Sequence, residues 1–263
     1  MEYSFHVYNE LAVDGITAGA DRLLRDDLER KLTPRTLMKY EKACENGESV
    51  QTGRAGTRSR AKNALFQKHF DGNFNKAPVI VCVGSDLAIG DSLGPITGSM
   101  LKYKTQGLGA FIYGTLETPI TAKEIKYVRT FLRETHVGSQ IIAVDAAIGS
   151  AGDIGLIKLT PEPLRPGAGA NKKLGEVGDI SIIGIVAERS IANYSLLNTT
   201  RLNLVYSMSE RISDAISNLL YNRRDLSKLS KQSDIDDGNE CGYADYAKYG
   251  GYNEKTIDIG GCV

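Results

Sequence analysis

Metal-ligand spacing is the first thing this sequence lacks. Its four cysteines, Cys44, Cys82, Cys241 and Cys262, form no C-x-x-C pair, and Cys82 lies inside an apolar run, where it acts as a small hydrophobe. That spacing argues against a zinc site and against a disulfide framework. There is no G-x-S-x-G, and the three histidines (His6, His69, His136) are badly placed for a nucleophilic triad. Lys plus Arg and Asp plus Glu balance at 32 each, so nothing draws the whole chain to nucleic acid or an anionic membrane. No apolar run approaches the roughly 18–20 residues that span a bilayer. The opening MEYSFHVYNE lacks the basic, then apolar pattern of a signal peptide. The expectation is a cytoplasmic protein with no cofactor, no bound metal, and no nucleic-acid or membrane partner.

What is present falls into three parts. Residues 1–75 read as an N-terminal extension: a helix over ADRLLRDDLERKL, with Leu23, Leu24, Leu28 and Leu32 at helical spacing, then the polar, locally basic linker ENGESVQTGRAGTRSRAKN. Residues 76–224 read as an α/β domain. VIVCVG, GAFIYGTL and SQIIAVDAA are three strands separated by helices, the second of which opens on a capping box of Thr121 and Glu124. IGLIKLT and DISIIGIVA follow as strands, and a long amphipathic helix runs to Arg224. The alternation predicts a three-layer α/β/α fold around a doubly wound, mostly parallel sheet. Residues 225–263 read as a flexible polar tail; its DIDDGNE lacks the regular acidic positions of an EF-hand loop.

Chemistry is expected at one place. In doubly wound sheets, ligands bind beyond the carboxyl ends of the strands, where the strand order reverses. With an order of 2-1-3, Asp91 follows the first strand and Asp145 ends its neighbour, so two carboxyls distant in sequence would share a crevice. Such a pair disfavours double ionisation, so one member activates water while the other donates a proton. Each aspartate could instead cap backbone amides at a turn or strand end. Glu117, Asp153 and Glu188 are competing loop carboxylates, and Asp86 could flank the pocket or ligate a metal. Gly84, Gly90 and Gly94 match neither spacing known for phosphate loops. The stretch LRPGAGANKKLGEVGD could be a surface loop, or an active-site loop whose Arg165, Lys172 and Lys173 favour an ionised aspartate.

GSDLAIGDSLGP, YGTLETPI, AVDAAIG and RPGAGANKKLGEVGDISIIGIV, in that order, resemble the YyaC-type sporulation family (DUF1256-like). That family is related to the germination protease and, more broadly, to the hydrogenase-maturation endopeptidases. The resemblance implies an atypical aspartic endopeptidase. Its aspartates fall on Asp91, in D-x-L-G-P, and Asp145, in V-D-A; its P-G-x-G falls on Pro166, Gly167 and Gly169. The substrate-binding set implied is Asp86, Ser92, Glu117, Pro166, Gly167, Gly169, Asn171 and Lys172. Asp145 would polarise or activate water with Asp91 as proton-sharing partner, the roles being exchangeable. The substrate would be a protein or peptide, small acid-soluble spore proteins being candidates, met in the forespore or spore core. A homo-oligomer is compatible with this reading. The maturation endopeptidases hold nickel through a glutamate beside the first aspartate and a later histidine. This chain has Ser92 at the first place and no histidine after the third strand.

Overall fold

The computed structural model describes residues 2–32, 78–167, 174–189 and 200–236. Six strands make one sheet: β1 (Tyr3–His6), β2 (Val79–Cys82), β3 (Phe111–Tyr113), β4 (Ile141–Gly149), β5 (Leu156–Thr160) and β6 (Ile180–Glu188). Their order is β1-β5-β6-β4-β2-β3. β6, β4, β2 and β3 run parallel; β5 is antiparallel to β6 and to β1. The first three strands of the α/β stretch therefore take the expected 2-1-3 order, with the switch point between β2 and β4. The helices are α1 (Ala12–Leu32), α2 (Leu93–Lys104), α3 (Ile125–Thr135) and α4 (Leu202–Asp236).

Strand parity builds the layers. Ile80 and Cys82 of β2 and Ile142 and Val144 of β4 point to one face, where they pack with α1, α2 and α4. Val79, Val81 and Ala143 point to the other, where Ile125 and Leu132 of α3 join Leu164 and Val177. Both faces are covered, which is why VIVC is fully buried and shows no polar alternation. The three-layer α/β/α expectation holds. Burial pushes the Cys82 thiol up, consistent with a core hydrophobe.

The N-terminal segment differs from the expected extension. Tyr3–His6 forms an edge strand paired with Leu156–Leu159, and α1 contributes Ile16, Leu23 and Leu24 to the main core. Gly15 and Gly19 flatten α1 where it meets that strand: a methyl group at Gly15 would lie 2.3 Å from the Phe5 ring, and one at Gly19 3.3 Å from Tyr3. The strand was illegible because it is four residues long and pairs about 150 residues away. At the other end α4 continues to Asp236, past the expected stop at Arg224. Contacts divide the chain into Met1–Leu226 and Ser227–Val263. The 45–63 linker, the 75/76 boundary and the tail beyond Asp236 lie outside the described residues.

Polar groups at the amino ends of the strands tie helices to sheet. Buried Gln140 donates to the Leu24 carbonyl (2.6 Å) and to Asp27 (3.0 Å), and buried Arg223 reaches Asp21 at 3.2 Å. Asp179 accepts the Ile141 amide at 2.7 Å and pairs with Lys31. His136, read as a satisfied surface histidine, bonds the Tyr113 hydroxyl at 2.7 Å at this same end, away from the aspartates.

At the carboxyl ends the backbone is packed without intervening side chains. A methyl group at Gly94 would lie 1.9 Å from the Val83 carbonyl oxygen, one at Gly98 1.9 Å from that of Gly114, and one at Gly114 1.8 Å from that of Cys82. Gly114 also has φ +85°. Gly107 (φ +77°) faces open space. Gly114→Ala is therefore expected to cost about 3 kcal/mol or more, by steric conflict with backbone. Gly107→Ala should cost only the left-handed penalty of about 1–2 kcal/mol. Urea denaturation of both variants checks this; equal losses would contradict the packing account.

Candidate active site

Asp91 is placed by the loop that leaves β2. After Val83 pairs with Ile120 the chain turns back, and Ile89–Asp91 form a single 3-10 turn before α2. The Ser85 amide donates to the Asp91 carbonyl at 3.0 Å, closing the loop on itself. Gly84 (φ +145°) makes this possible: a methyl group there would lie 2.2 Å from that same carbonyl oxygen. The glycines of the motif thus serve close backbone approach. Pro95 sits in the first turn of α2, where its missing N–H costs nothing.

Asp145 lies within β4. The sequence reading ended this strand at about Ala147, but β6 pairs with it to Gly149, with a register shift at Ala147/Ile148. What stops beside Asp145 is β2, whose pairing ends at Cys82–Val144. Asp145 shares the parity of Ile141 and Ala143, which pack on the α3 side, and its Oδ1 accepts the Ala146 amide at 2.8 Å.

The two carboxyls feel each other. Burial pushes the Asp91 carboxyl up to about 6, opposed by the Ser85 amide. Burial and then the charge of Asp91 hold the Asp145 carboxyl well above the usual carboxylate range, opposed by the Ala146 amide. Both residues keep part of their surface accessible. Both carboxyls are thus shifted toward their protonated forms, Asp91 by burial and Asp145 by burial and by its like-charged neighbour.

The other expected site residues are scattered. Ser92 is buried, and its hydroxyl donates to the Ile89 carbonyl at 2.6 Å, bracing the turn. Asp86 is exposed on the loop. Glu117 is exposed and pairs with Lys102 at 3.0 Å. Asp153 pairs with Lys158 at 3.5 Å, and Glu188 is exposed at the end of β6. Pro166 is buried and Gly167 takes φ +71° just after Leu164, which packs in the α3-side cluster. Arg165 is held by Glu176 at 3.0 Å. Gly169, Asn171, Lys172 and Lys173 lie outside the described residues. Sequence reasoning missed the Ser85 and Ala146 amides, since backbone donors leave no compositional signal.

A family model described as "Protein of unknown function (DUF1256)" matches residues 57–215. The chain belongs to that family. It is 41% identical over 143 residues to "Uncharacterized protein YyaC" of Bacillus subtilis (strain 168), covering 54% of this chain and 69% of that protein. Among solved structures it is similar to the [NiFe] hydrogenase maturation protease HycI from Thermococcus kodakarensis KOD1. That likeness has a TM-score of 0.37 and 15% identity, covering 59% of this chain and 99% of the other. The residues described here do not fit a nickel site: Ser92 is turned to a carbonyl, and no group of three His, Cys, Asp or Glu side chains suited to a metal occurs among them. No described helix is long and apolar enough to cross a membrane.

The raised Asp91 carboxyl has a consequence for stability. The folded chain binds this proton more tightly than the unfolded chain, so Asp91's contribution falls as pH rises from 3.8 to about 6 and is level above. Asp91→Asn should therefore stabilise the protein above pH 6 by about 1–2 kcal/mol, after allowance for partial solvent access. The gain should vanish below pH 4. The same substitution removes a like charge and should lower the Asp145 pKa, read by carbon-13 NMR of its carboxyl. An unmoved Asp145 would show that the pair is uncoupled.

Proposed function

We propose that this protein is a peptide hydrolase that works with Asp91 and Asp145, a sporulation-associated enzyme of the germination-protease kind. The observation that supports the reading is two partly buried carboxyls, near enough for the charge of Asp91 to act on Asp145, at the switch point of the sheet, where this architecture binds ligands. Asp145, holding a proton, donates it toward the scissile carbonyl oxygen. Asp91, ionised, takes a proton from the attacking water, which adds to the carbonyl carbon. Collapse of the tetrahedral intermediate breaks the C–N bond as the proton on Asp91 passes to the leaving nitrogen. The ionised base and protonated acid are regenerated when the carboxylic acid product returns its proton to Asp145. Of the two exchangeable roles, the larger set of causes raising Asp145 favours it as the acid. Substrates of this kind are polypeptides; small acid-soluble spore proteins in the forespore are the candidates that the family resemblance suggests.

Mass spectrometry of an acid-soluble spore protein extract incubated with the protein tests the reading. Wild type should release new peptides, and Asp91→Asn and Asp145→Asn should each reduce the rate at least about a hundredfold. Chelator should leave the rate unchanged. No cleavage by well-folded wild type between pH 4 and 8 would remove the peptidase reading.

A pH profile tests the assignment separately. Activity should rise as the pair loses its first proton near pH 6 and fall when the second is lost at higher pH. A rate that climbs without a high-pH limb would mean that Asp145 is not the acid.

A further inference from the structure

Ser92 stands where a helix cap is expected and does not act as one. It precedes Leu93, the first residue of α2. A serine at that place ordinarily has extended backbone, and its hydroxyl accepts an amide of the first turn. Here the backbone is helical (φ −85°, ψ −1°) and the side chain makes no capping bond. Its hydroxyl, on a buried residue, instead donates backward to the Ile89 carbonyl at 2.6 Å.

The carbonyl it reaches belongs to the 3-10 turn that carries Asp91. The Ser92 amide bonds the same oxygen at 3.2 Å, the long end of the usual range, and a lone 3-10 turn has poor hydrogen-bond geometry. The hydroxyl bond is the shorter of the two. Asp91 lies between the joined residues, its amide on the Ala88 carbonyl and its carbonyl on the Ser85 amide, each at 3.0 Å. On the other side of Ser92, Leu93 is an anchor. It is wholly buried, and a methyl group at Gly184 of β6 would lie 2.9 Å from its side chain. Its carbonyl accepts Thr97 at 2.7 Å and Ser209 of α4 at 3.1 Å. Ser92 therefore connects a point fixed to the sheet and to α4 with the turn that holds a carboxyl.

We propose that Ser92 is a positioning residue, whose hydroxyl ties Ile89 to the anchored start of α2 and so holds the Asp91 carboxyl beside Asp145. It touches no reacting atom and acts through the backbone of Asp91. A serine that capped α2 would leave the turn with the longer amide bond alone. Without the hydroxyl, the backbone on the amino side of Asp91 can loosen while Leu93 and α2 stay in place. The Asp91 carboxyl then moves away from Asp145 toward water, and the influence of one carboxyl on the other weakens. Taking Asp91 as a reacting group rests on the peptide-hydrolase reading; its placement is measurable without cleavage.

The test compares Ser92→Ala and Ser92→Thr with wild type, using the full chain labelled with carbon-13 at the aspartate carboxyls. Asp91→Asn and Asp145→Asn assign the two signals. In folded Ser92→Ala, the Asp145 titration should move by at least about half of the displacement that Asp91→Asn causes. Ser92→Thr, which keeps the hydroxyl, should return it to the wild-type curve. In the cleavage assay, Ser92→Ala should lower kcat at least about tenfold with KM changed less than about threefold, because misplacing a reacting group weakens the chemical step more than binding. An Asp145 titration in Ser92→Ala that matches wild type would overturn the proposal, whatever the variant loses in stability. A threonine variant that titrates like the alanine variant would overturn it as well. If wild type cleaves nothing, the hydrolase reading falls and the titrations still decide whether Ser92 places Asp91.

Discussion

Backbone packed directly on backbone at the carboxyl end of β2 is the constraint on which the site depends. Gly94 meets the Val83 carbonyl, Gly114 the Cys82 carbonyl, and Gly98 the Gly114 carbonyl, each at a distance no side chain could occupy. These contacts draw the first turn of α2 onto the end of the sheet. With Gly84 free to take a left-handed φ, the intervening loop has little choice of path. Asp91 is held by this arrangement, and Ser92 locks it by bonding back to Ile89. These glycines, whose spacing matches no phosphate loop, are the hinges and contact points that place a carboxylate.

The electrostatics follow from where the strands stop. Asp145 is enclosed because β4 continues past it beside β6, and it reaches the crevice because β2 does not. Burying a carboxyl disfavours its ionised form, and a second buried carboxyl nearby deepens the effect. The two residues differ in degree: the Asp145 shift has both causes, whereas burial alone raises Asp91 against the Ser85 amide. Unequal surroundings thus shift two residues of one type by different causes.

At the opposite end of the sheet the polar groups have another task. Gln140, Asp27, Asp21, Arg223, Lys31 and Asp179 join α1, α4 and the starts of β4 and β6 through satisfied or paired groups. Buried charge is tolerated there because partners are within reach. Asp91 and Asp145 stand in contrast, because the neighbouring charge at that end is of like sign.

Much of this was written in the order of the residues. The continuous apolar run VIVC requires cover on both faces, so a parallel sheet between helices followed from it; the 2-1-3 order was assumed there and is set by the folded sheet. Given that order, Asp91 and Asp145 were expected to meet, because the carboxyl ends of neighbouring parallel strands lie side by side. What the sequence could not carry was long-range pairing and relative strand length. The four residues of β1 acquire meaning only against β5, and the extent of β4 beyond β2 is set by β6. What raises each aspartate toward its protonated form was likewise decided by tertiary structure, since burial and the reach of a backbone amide are properties of the folded surroundings and not of the residue.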